Sequence, residues 1–138
     1  MPFWRDYFWV GLGGALGSMA RFGVATAALR LLGERLGETL PWGTLFVNIT
    51  GSLLIGFLSG LSGPEHGWVT QPSGRQFLLV GICGGYTTFS SFSVQTLRLL
   101  QNRAWGLAGI NVVASVVVCL VAVWLGHWMA ISWGARRG

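Results

Sequence analysis

Residues Gly81 to Ser93 read GICGGYTTFSSFS, and they interrupt an apolar segment that is otherwise long enough to cross a lipid bilayer. Two adjacent glycines are followed by five threonines and serines, interleaved with two phenylalanines. Irregular polar backbone at membrane depth is tolerated only where protein buries it or where it lines a watery cavity. Such interruptions mark the ion and substrate sites of membrane transport proteins. The stretch therefore indicates a protein that moves a small solute.

The composition of the chain indicates an integral membrane protein. Hydrophobic residues make up 52% of its 138 residues and charged residues only 9%, with a mean hydropathy of +0.59. A soluble domain carries about 25% charged residues, so the lipid bilayer is the expected surrounding. All nine basic residues are arginines, and most lie at the ends of apolar runs, where they anchor helices. No basic cluster with interleaved aromatic residues is present, so nucleic acid is not an expected partner.

The apolar segments predict an all-α membrane domain. A helix needs about 20 apolar residues to cross the hydrocarbon core, and four segments are that long. We expect one domain, residues 1–138, with transmembrane helices at about residues 8–32, 42–61, 77–100 and 104–133. Helix 3 is expected to break at Gly84 to Thr87, where the glycines allow the backbone to unwind. Glycines four residues apart also recur within the spans, and they predict close helix packing.

The arginines are balanced across the predicted membrane. One side carries Arg5, Arg75, Arg136 and Arg137, and the other carries Arg30, Arg35, Arg98 and Arg103. An excess of Arg and Lys on one side normally fixes the orientation of a membrane protein, and here there is none. Either the signal is weak because the span ends are set imprecisely, or the chain inserts both ways and pairs as an antiparallel, dual-topology homodimer. Such a dimer would supply pore walls that four short helices lack.

The spans lack the groups that coupled transport or catalysis requires. All four acidic residues fall outside them, whereas a proton- or sodium-coupled exchanger normally keeps a carboxylate within the membrane. No nucleophile–base set or cluster of metal-ligating side chains can be assembled, so we expect that the chain is not an enzyme. Cys83 and Cys119 have no CxxC spacing and no nearby histidine, which favours a packing role.

Uncharged polar and aromatic residues remain as candidates for a solute path. Asn48 lies inside the second segment and Asn111 inside the fourth. An amide within the membrane either holds helices together, which is the commoner role, or faces a path. Phe89 and Phe92 are three residues apart and share one helix face. An aromatic ring has a positive edge, so ring edges together with hydroxyl and amide donors favour an anion.

Three motifs resemble the fluoride channels called Fluc or CrcB, and the resemblance covers nearly the whole chain. They are GGALGSMAR (Gly13 to Arg21), WGTLFVNITGSLLIG (Trp42 to Gly56) and GGYTTFSSFS (Gly84 to Ser93), of which the last two are long and specific. The resemblance implies a fluoride-selective passive channel, built as an antiparallel dual-topology homodimer with two fluoride pathways. It also implies export of cytoplasmic fluoride, with lowered toxicity, across the plasma membrane of a prokaryote (the inner membrane if Gram-negative).

The same resemblance implies a set of site residues. Gly84 and Thr87 match positions whose backbone carbonyls bind a structural Na⁺ on the dimer axis. The matching fluoride pathway comprises Asn48, Phe89, Phe92, Ser91, Thr88, Arg21 and Asn111. In it the phenylalanines offer ring edges, the Asn48 amide donates, the Ser91 hydroxyl belongs to a polar track, and Arg21 lies near a vestibule. Asn111 stands where many members have a tyrosine, and its amide has a shorter reach.

Two other functions compete with a channel. A small multidrug exporter is also short and four-spanning, but it needs a glutamate in the first span, and residues 13–32 contain none. A non-conducting membrane scaffold would use the phenylalanines and serines of the third segment for packing alone. A passive fluoride path agrees with the missing carboxylate, because HF crosses membranes uncharged and ionises inside the cell, so that no coupling is needed for export.

Overall fold

The structure, a computed structural model, describes residues 3–32, 40–61 and 64–135. Every regular element in these ranges is helical. Four helices are long and apolar enough to cross a membrane: Trp4–Leu31, Trp42–Gly60, Pro72–Gln101 and Trp105–Gly134. The prediction of an all-α protein with four membrane-spanning helices is thereby confirmed. Arg35, Arg136 and Arg137, which entered the arginine balance, lie outside the described residues.

The first, second and fourth spans are single α-helices. They are α1 (Phe3–Leu32), α2 (Trp42–Gly60) and α6 (Trp105–Gly134). Before the third span, residues Pro64–Thr70 form a short 3₁₀ segment. At about 1.5 Å per residue, α2 is about as long as the hydrocarbon core is thick, whereas α1 and α6 are longer and must tilt or extend beyond it.

The third span is composite. It runs through α3 (Pro72–Arg75), a π-helical segment (Gln76–Cys83) and α4 (Gly84–Tyr86), and it continues as α5 (Phe89–Gln101). Between α4 and α5, Thr87 (φ −81°, ψ 158°) and Thr88 (φ −150°, ψ 110°) have extended backbone. A single turn of π-helix within an α-helix is rare and frequently lies at a functional site.

The extended residues overlap the predicted unwinding at Gly84 to Thr87 only at Thr87. Gly84–Tyr86 is helical, and tertiary contacts explain this. The Thr87 N–H still donates to the Cys83 carbonyl at 3.0 Å, and the Tyr86 hydroxyl lies 2.9 Å from the Thr50 hydroxyl. Gly85 packs directly on the Gly14 backbone. The glycines therefore serve close packing of the helix and not its unwinding.

Glycines set the closest helix contacts. A Cβ atom on Gly13 would collide with the Phe77 carbonyl oxygen, and one on Gly81 would lie 2.8 Å from the Gly13 Cα atom. Backbone therefore touches backbone between α1 and the π-helical segment. On the other side of the molecule, a Cβ on Gly56 or Gly126 would collide with a carbonyl of the opposing helix, which joins α2 to α6 in the same way.

The core is made of small side chains and the surface is apolar. The buried apolar residues are Val47, Leu61, Cys83, Ala108, Ala122 and Ala130, while large residues such as Trp4, Phe22 and Trp124 are mostly exposed. A water-soluble monomer rarely exposes so much contiguous apolar surface. Lipid is a suitable environment for these side chains, and close packing of small residues then holds the helices together.

A tight turn joins α5 to α6. Arg103 has a left-handed backbone (φ 58°). The Ala104 N–H donates to the Leu99 carbonyl at 2.9 Å and the Arg103 N–H to the Leu100 carbonyl at 3.0 Å. This is the hydrogen-bond pattern of a Schellman cap, in which glycine is the usual left-handed residue. The turn makes α5 and α6 an antiparallel hairpin. Arg98, in the last turn of α5, lies at the end of the bundle where this turn is found.

Candidate ion pathway

The centre of the site is a pair of hydrogen bonds between one side chain and the backbone of one residue. The Asn48 Oδ1 atom accepts from the Thr88 N–H at 2.8 Å, and the Asn48 Nδ2 atom donates to the Thr88 carbonyl at 3.2 Å. The two partners fix which end of the amide is oxygen and which is nitrogen. Asn48 thus occupies the place of a neighbouring strand and stabilises the extended backbone of Thr88.

The hydrogen bonds of Asn48 to Thr88 alter the hydrogen bonding of the backbone carbonyls that come before Thr88. In a continuous helix the Thr88 N–H would donate to the Gly84 carbonyl, four residues earlier; here it donates to Asn48. The Ser91 N–H, which would serve the Thr87 carbonyl, donates instead to the Thr88 Oγ1 atom at 3.2 Å. The carbonyls of Gly84 and Thr87 therefore lack their usual helical donors, and Gly84 is exposed.

The Thr88 side chain caps α5 and connects three hydroxyl groups. Its Oγ1 atom accepts from the Ser91 N–H, as an N-cap side chain does. The same hydroxyl donates to the Ser91 Oγ atom at 3.0 Å and lies 3.2 Å from the Ser90 Oγ atom. Thr88 is 8% exposed, so these bonds lie inside the protein, where an unpaired hydroxyl would be costly.

A cavity of about 400 Å³ lies beside the extended residues. Four of the predicted pathway residues line it, namely Asn48, Thr88, Phe89 and Phe92, and so does Thr87. The rings of Phe89 and Phe92 have their centroids 5.3 Å apart and are inclined at 47°. Phe89 is 78% exposed, so within one chain this cavity is open on the side of that ring.

Arg21 and Ser91 line a second cavity, of about 290 Å³, on the other face of Thr88. Thr44 of α2 and Phe22 of α1 complete much of its wall. Thr88 is the residue that lines both cavities. The predicted residues therefore divide into a phenylalanine side and an arginine side, and the Asn48–Thr88 pair separates them.

Asn111 lines neither of these two cavities. It is 2% exposed, and its Nδ2 atom donates to the Thr96 Oγ1 atom at 2.9 Å. Thr96 in turn donates to the Phe92 carbonyl at 2.8 Å. The structure thus places Asn111 behind the Phe92 backbone, at the contact of α5 with α6, and not in line with the other pathway residues.

Several polar residues of the site were not singled out from the sequence. Ser52 and Ser115 line the same cavity as Phe89 and Phe92. Ser52 follows Asn48 by four residues and Ser115 follows Asn111 by four, so each shares a helix face with an amide already noted. That spacing was the available signal. The hydrogen bond between the Thr50 and Tyr86 hydroxyls had no such signal in the sequence, because it depends on how two helices pack together.

The described part of the chain holds no group of three or more His, Cys, Asp or Glu side chains that could bind a metal ion. Oxygen ligands suit hard cations, and here the backbone offers them. The carbonyls of Gly84 and Thr87, which lack their helical donors, have the chemistry that a small hard cation requires.

A four-span membrane protein whose third span carries extended, hydrogen-bonded residues between two cavities belongs to the class of membrane channels and transporters. Residues 8–127 match the family described as CrcB-like protein, Camphor Resistance (CrcB). The chain belongs to this family, and the resemblance found in its motifs is confirmed.

Relatives of known name agree with the family assignment. A protein of Opitutus terrae named fluoride-specific ion channel FluC is 51% identical over 132 residues, which cover 96% of this chain and 97% of that protein. Proteins of the same name from Methylocella silvestris and Rhodospirillum rubrum are 47% and 49% identical, covering 96% and 91% of this chain and 98% and 94% of their own lengths. Because the family is one of ion channels, the prediction that the chain is not an enzyme is also confirmed.

Proposed function

We propose that the chain is a fluoride-selective passive ion channel that lets cytoplasmic fluoride leave the cell and so lowers its toxicity. The observation that carries the proposal is the double hydrogen bond between Asn48 and Thr88, which holds an extended, donor-rich segment beside the Phe89 and Phe92 rings. The names of the relatives supply the ion. The bacterial sources of these relatives agree with a multi-pass protein of a bacterial membrane, and we place it in the plasma membrane, the inner one in Gram-negative cells.

The hydrogen bonds of Asn48 and Ser91 leave each of them with a donor for the ion, which supports their place in the pathway. An amide nitrogen carries two hydrogens, and Asn48 gives one to the Thr88 carbonyl, which leaves one for fluoride. Ser91 accepts the Thr88 hydroxyl proton, so its own proton is left to donate. The hydrogen bond from the Thr88 hydroxyl polarises the Ser91 hydroxyl, which makes Ser91 a stronger donor to the ion. Fluoride is small and strongly hydrated, and several aligned donors are needed to replace its water.

The phenylalanine rings and Arg21 complete the pathway. The rings of Phe89 and Phe92 present positive edges to an anion in the cavity that they share with Asn48. Arg21 attracts the ion into the second cavity, where Ser91 also lies. Asn111 supports the pathway through Thr96 and the Phe92 carbonyl. A narrow track of fixed neutral donors would fit a larger halide poorly.

A sodium ion fits the carbonyls of Gly84 and Thr87, and we propose that it binds there on the axis of a dimer. Their loss of helical donors is the supporting observation. When bound, the ion supplies a fixed positive charge and holds the two copies in register. The Asn48 and Thr88 side chains accept the two N–H groups that would otherwise bond to these carbonyls, and this leaves the carbonyl oxygens available to the ion.

An antiparallel, dual-topology homodimer supplies the wall that one chain lacks. The cavity beside Phe89 is open in a single chain, and that ring is mostly exposed. The equal arginine counts on the two sides favour insertion in both orientations. Two such copies would contain two antiparallel pathways. Among the described residues, Asp6 lies only in the first turn of α1, at the end of the first span, and Glu65 lies in the 3₁₀ segment between spans, in keeping with a passive path.

A liposome assay tests the function directly. Purified protein is reconstituted with potassium fluoride inside, and valinomycin balances the voltage while an electrode reads the fluoride released. We expect rapid fluoride release, far slower chloride release in a parallel sample, and no need for a proton gradient. A small multidrug exporter would instead show proton-coupled exchange of organic cations, and a scaffold would release nothing. Either of those results would overturn the proposal.

A further inference from the structure

Two adjacent cavities lie between the arginine side of the proposed pathway and the end of the bundle. The cavity lined by Arg21, Thr88 and Ser91 shares two wall residues, Ala25 and Thr44, with a further cavity of about 380 Å³. That further cavity is lined by Gln95, Arg98 and Asn102 of the α5 end, together with residues near the start of α2. The two cavities are therefore neighbours, and together they are called the cleft between α1, α2 and α5.

One face of α5 lines this cleft with polar groups along its whole length. The stripe consists of Thr88, Ser91, Gln95, Arg98 and Asn102, at successive spacings of three, four, three and four residues. This is the spacing of a single helix face, and each of the five lines one of the two cavities. Phe89 and Phe92 lie on the opposite side of Thr88, toward the other cavity. The stripe gives the cleft a polar wall from Thr88 to Asn102.

The outer part of the cleft is suited to water and to an anion. The Gln95 Oε1 atom is buried and has no hydrogen-bond partner among the described residues, and water in the cleft would satisfy it. Arg98 supplies a permanent positive charge there. Asp6 is the one acidic residue whose side chain the structure describes, and it lies in the first turn of α1, at the opposite end of the bundle.

We infer that Gln95, Arg98 and Asn102 form an outer anion-collecting site, which concentrates small inorganic anions and passes them along the α5 stripe to Ser91 and Asn48. The inference rests on the proposed channel function and adds a residue to it, since Arg98 has no place in the pathway derived above. Arg98 raises the local anion concentration by its field and does not touch the ion at the Asn48–Thr88 pair. The low-dielectric walls of a cleft focus such a field.

The test is the fluoride dependence of the initial efflux rate in proteoliposomes, measured at low ionic strength set with an impermeant salt. Arg98→Gln should raise the half-saturating fluoride concentration by roughly threefold or more, because charged clefts raise local ion concentrations by about tenfold or more. The maximal rate should stay near that of the wild type. The effect should shrink at about 1 M impermeant salt, where the Debye length is only about 3 Å. Arg98→Lys should restore the wild-type half-saturation.

Arg103→Gln is the matched control. It removes the same charge at the same end of the bundle, but Arg103 lines none of the three cavities described above. A half-saturation that is unchanged in Arg98→Gln, or shifted equally in Arg103→Gln, would overturn the inference while wild-type fluoride flux upheld the channel itself. A fall in maximal rate without a change in half-saturation would also overturn it, since it would mean a structural role. Absence of wild-type flux would overturn the channel proposal and this inference together.

Discussion

Asn48 holds the extended backbone of Thr88 through two hydrogen bonds. Its amide replaces the helical hydrogen bonds of Thr88 with two bonds of its own. Sequence alone left open whether this asparagine holds helices together or faces a solute. The structure shows that Asn48, on the second span, hydrogen-bonds to the third span and also lines the cavity that we propose as part of the fluoride path.

Replacing Asn48 with aspartate should abolish conduction. Asn48→Asp turns the donor at the Thr88 carbonyl into an acceptor and puts a negative charge beside the path. Two like charges about 4 Å apart repel by about 4 kcal/mol at an effective dielectric constant of about 20, so we expect at least about a hundredfold loss of fluoride flux. Size-exclusion chromatography checks that the variant is folded. A variant that conducts normally would mean that fluoride does not pass Asn48.

Removing either phenylalanine ring should slow fluoride flux while the protein still assembles. Phe89→Ile and Phe92→Ile keep an apolar side chain in the cavity but lose the positive ring edge. The ring quadrupole makes aromatic pairs worth about 0.5–1.5 kcal/mol, and on that scale each change should cost up to about tenfold in efflux rate. Phe46→Ile is the matched control, because Phe46 is an exposed ring that lies outside the cavity. Equal fluoride flux in all three variants would remove the ring-edge contact from the mechanism.

At the scale of elements, the composite third span determines where the site lies within the helix bundle. Glycine backbone contacts fix the first part of the span against α1, and the Thr88 side chain caps the start of α5. The two extended threonines lie between these fixed parts. The position of the proposed path therefore depends on the packing of α1 against the π-helical segment as well as on the residues that line it.

Adding a methyl group at that contact should destabilise the protein. Gly13→Ala would place a Cβ atom against the Phe77 carbonyl, whereas Gly14→Ala, one residue later, would meet nothing within 4 Å. Overpacking of this kind costs about 1–3 kcal/mol. We expect Gly13→Ala to unfold at a clearly lower temperature in detergent and Gly14→Ala to unfold close to the wild type. Equal unfolding temperatures would show that α1 and the third span are not in backbone contact.

The elements that were predicted from sequence are those that depend on local pattern. The four spans follow from runs of apolar residues, and the hydroxyl-rich stretch predicted irregular backbone within the third span. The exact place of that segment was not predictable. Side-by-side glycines favoured unwinding at Gly84, but contacts of Gly85 with Gly14 and of Tyr86 with Thr50 keep the turn helical. The partnership of Asn111 with Thr96 likewise depends on the α5–α6 contact.

For the whole molecule, the exposed apolar surface and the half-open cavity beside Phe89 both require something outside one chain. Lipid covers most of the surface. The balanced arginines favour a second copy in the opposite orientation as the cover of the cavity. In this arrangement the same set of residues would line each of two pathways, and the two pathways would run in opposite directions across the membrane.

Biasing the orientation should therefore inactivate the protein on its own. Two lysines added to one terminus should insert every copy the same way, so that antiparallel pairs no longer form and fluoride efflux is lost. Co-expression with a copy biased the opposite way should restore efflux. Full activity from a uniformly oriented population would exclude dual topology, whereas an unbiased wild type in both orientations supports it.

The reversal potential of the wild-type current in a planar bilayer tests passive fluoride selectivity most directly. Fluoride and chloride gradients are set in opposite directions across the bilayer, with equal pH on both sides. The current should reverse at the equilibrium potential of fluoride and should not move when a pH gradient is added. Reversal near the chloride potential, a shift with pH, or the absence of any fluoride current would contradict a neutral, donor-lined fluoride path.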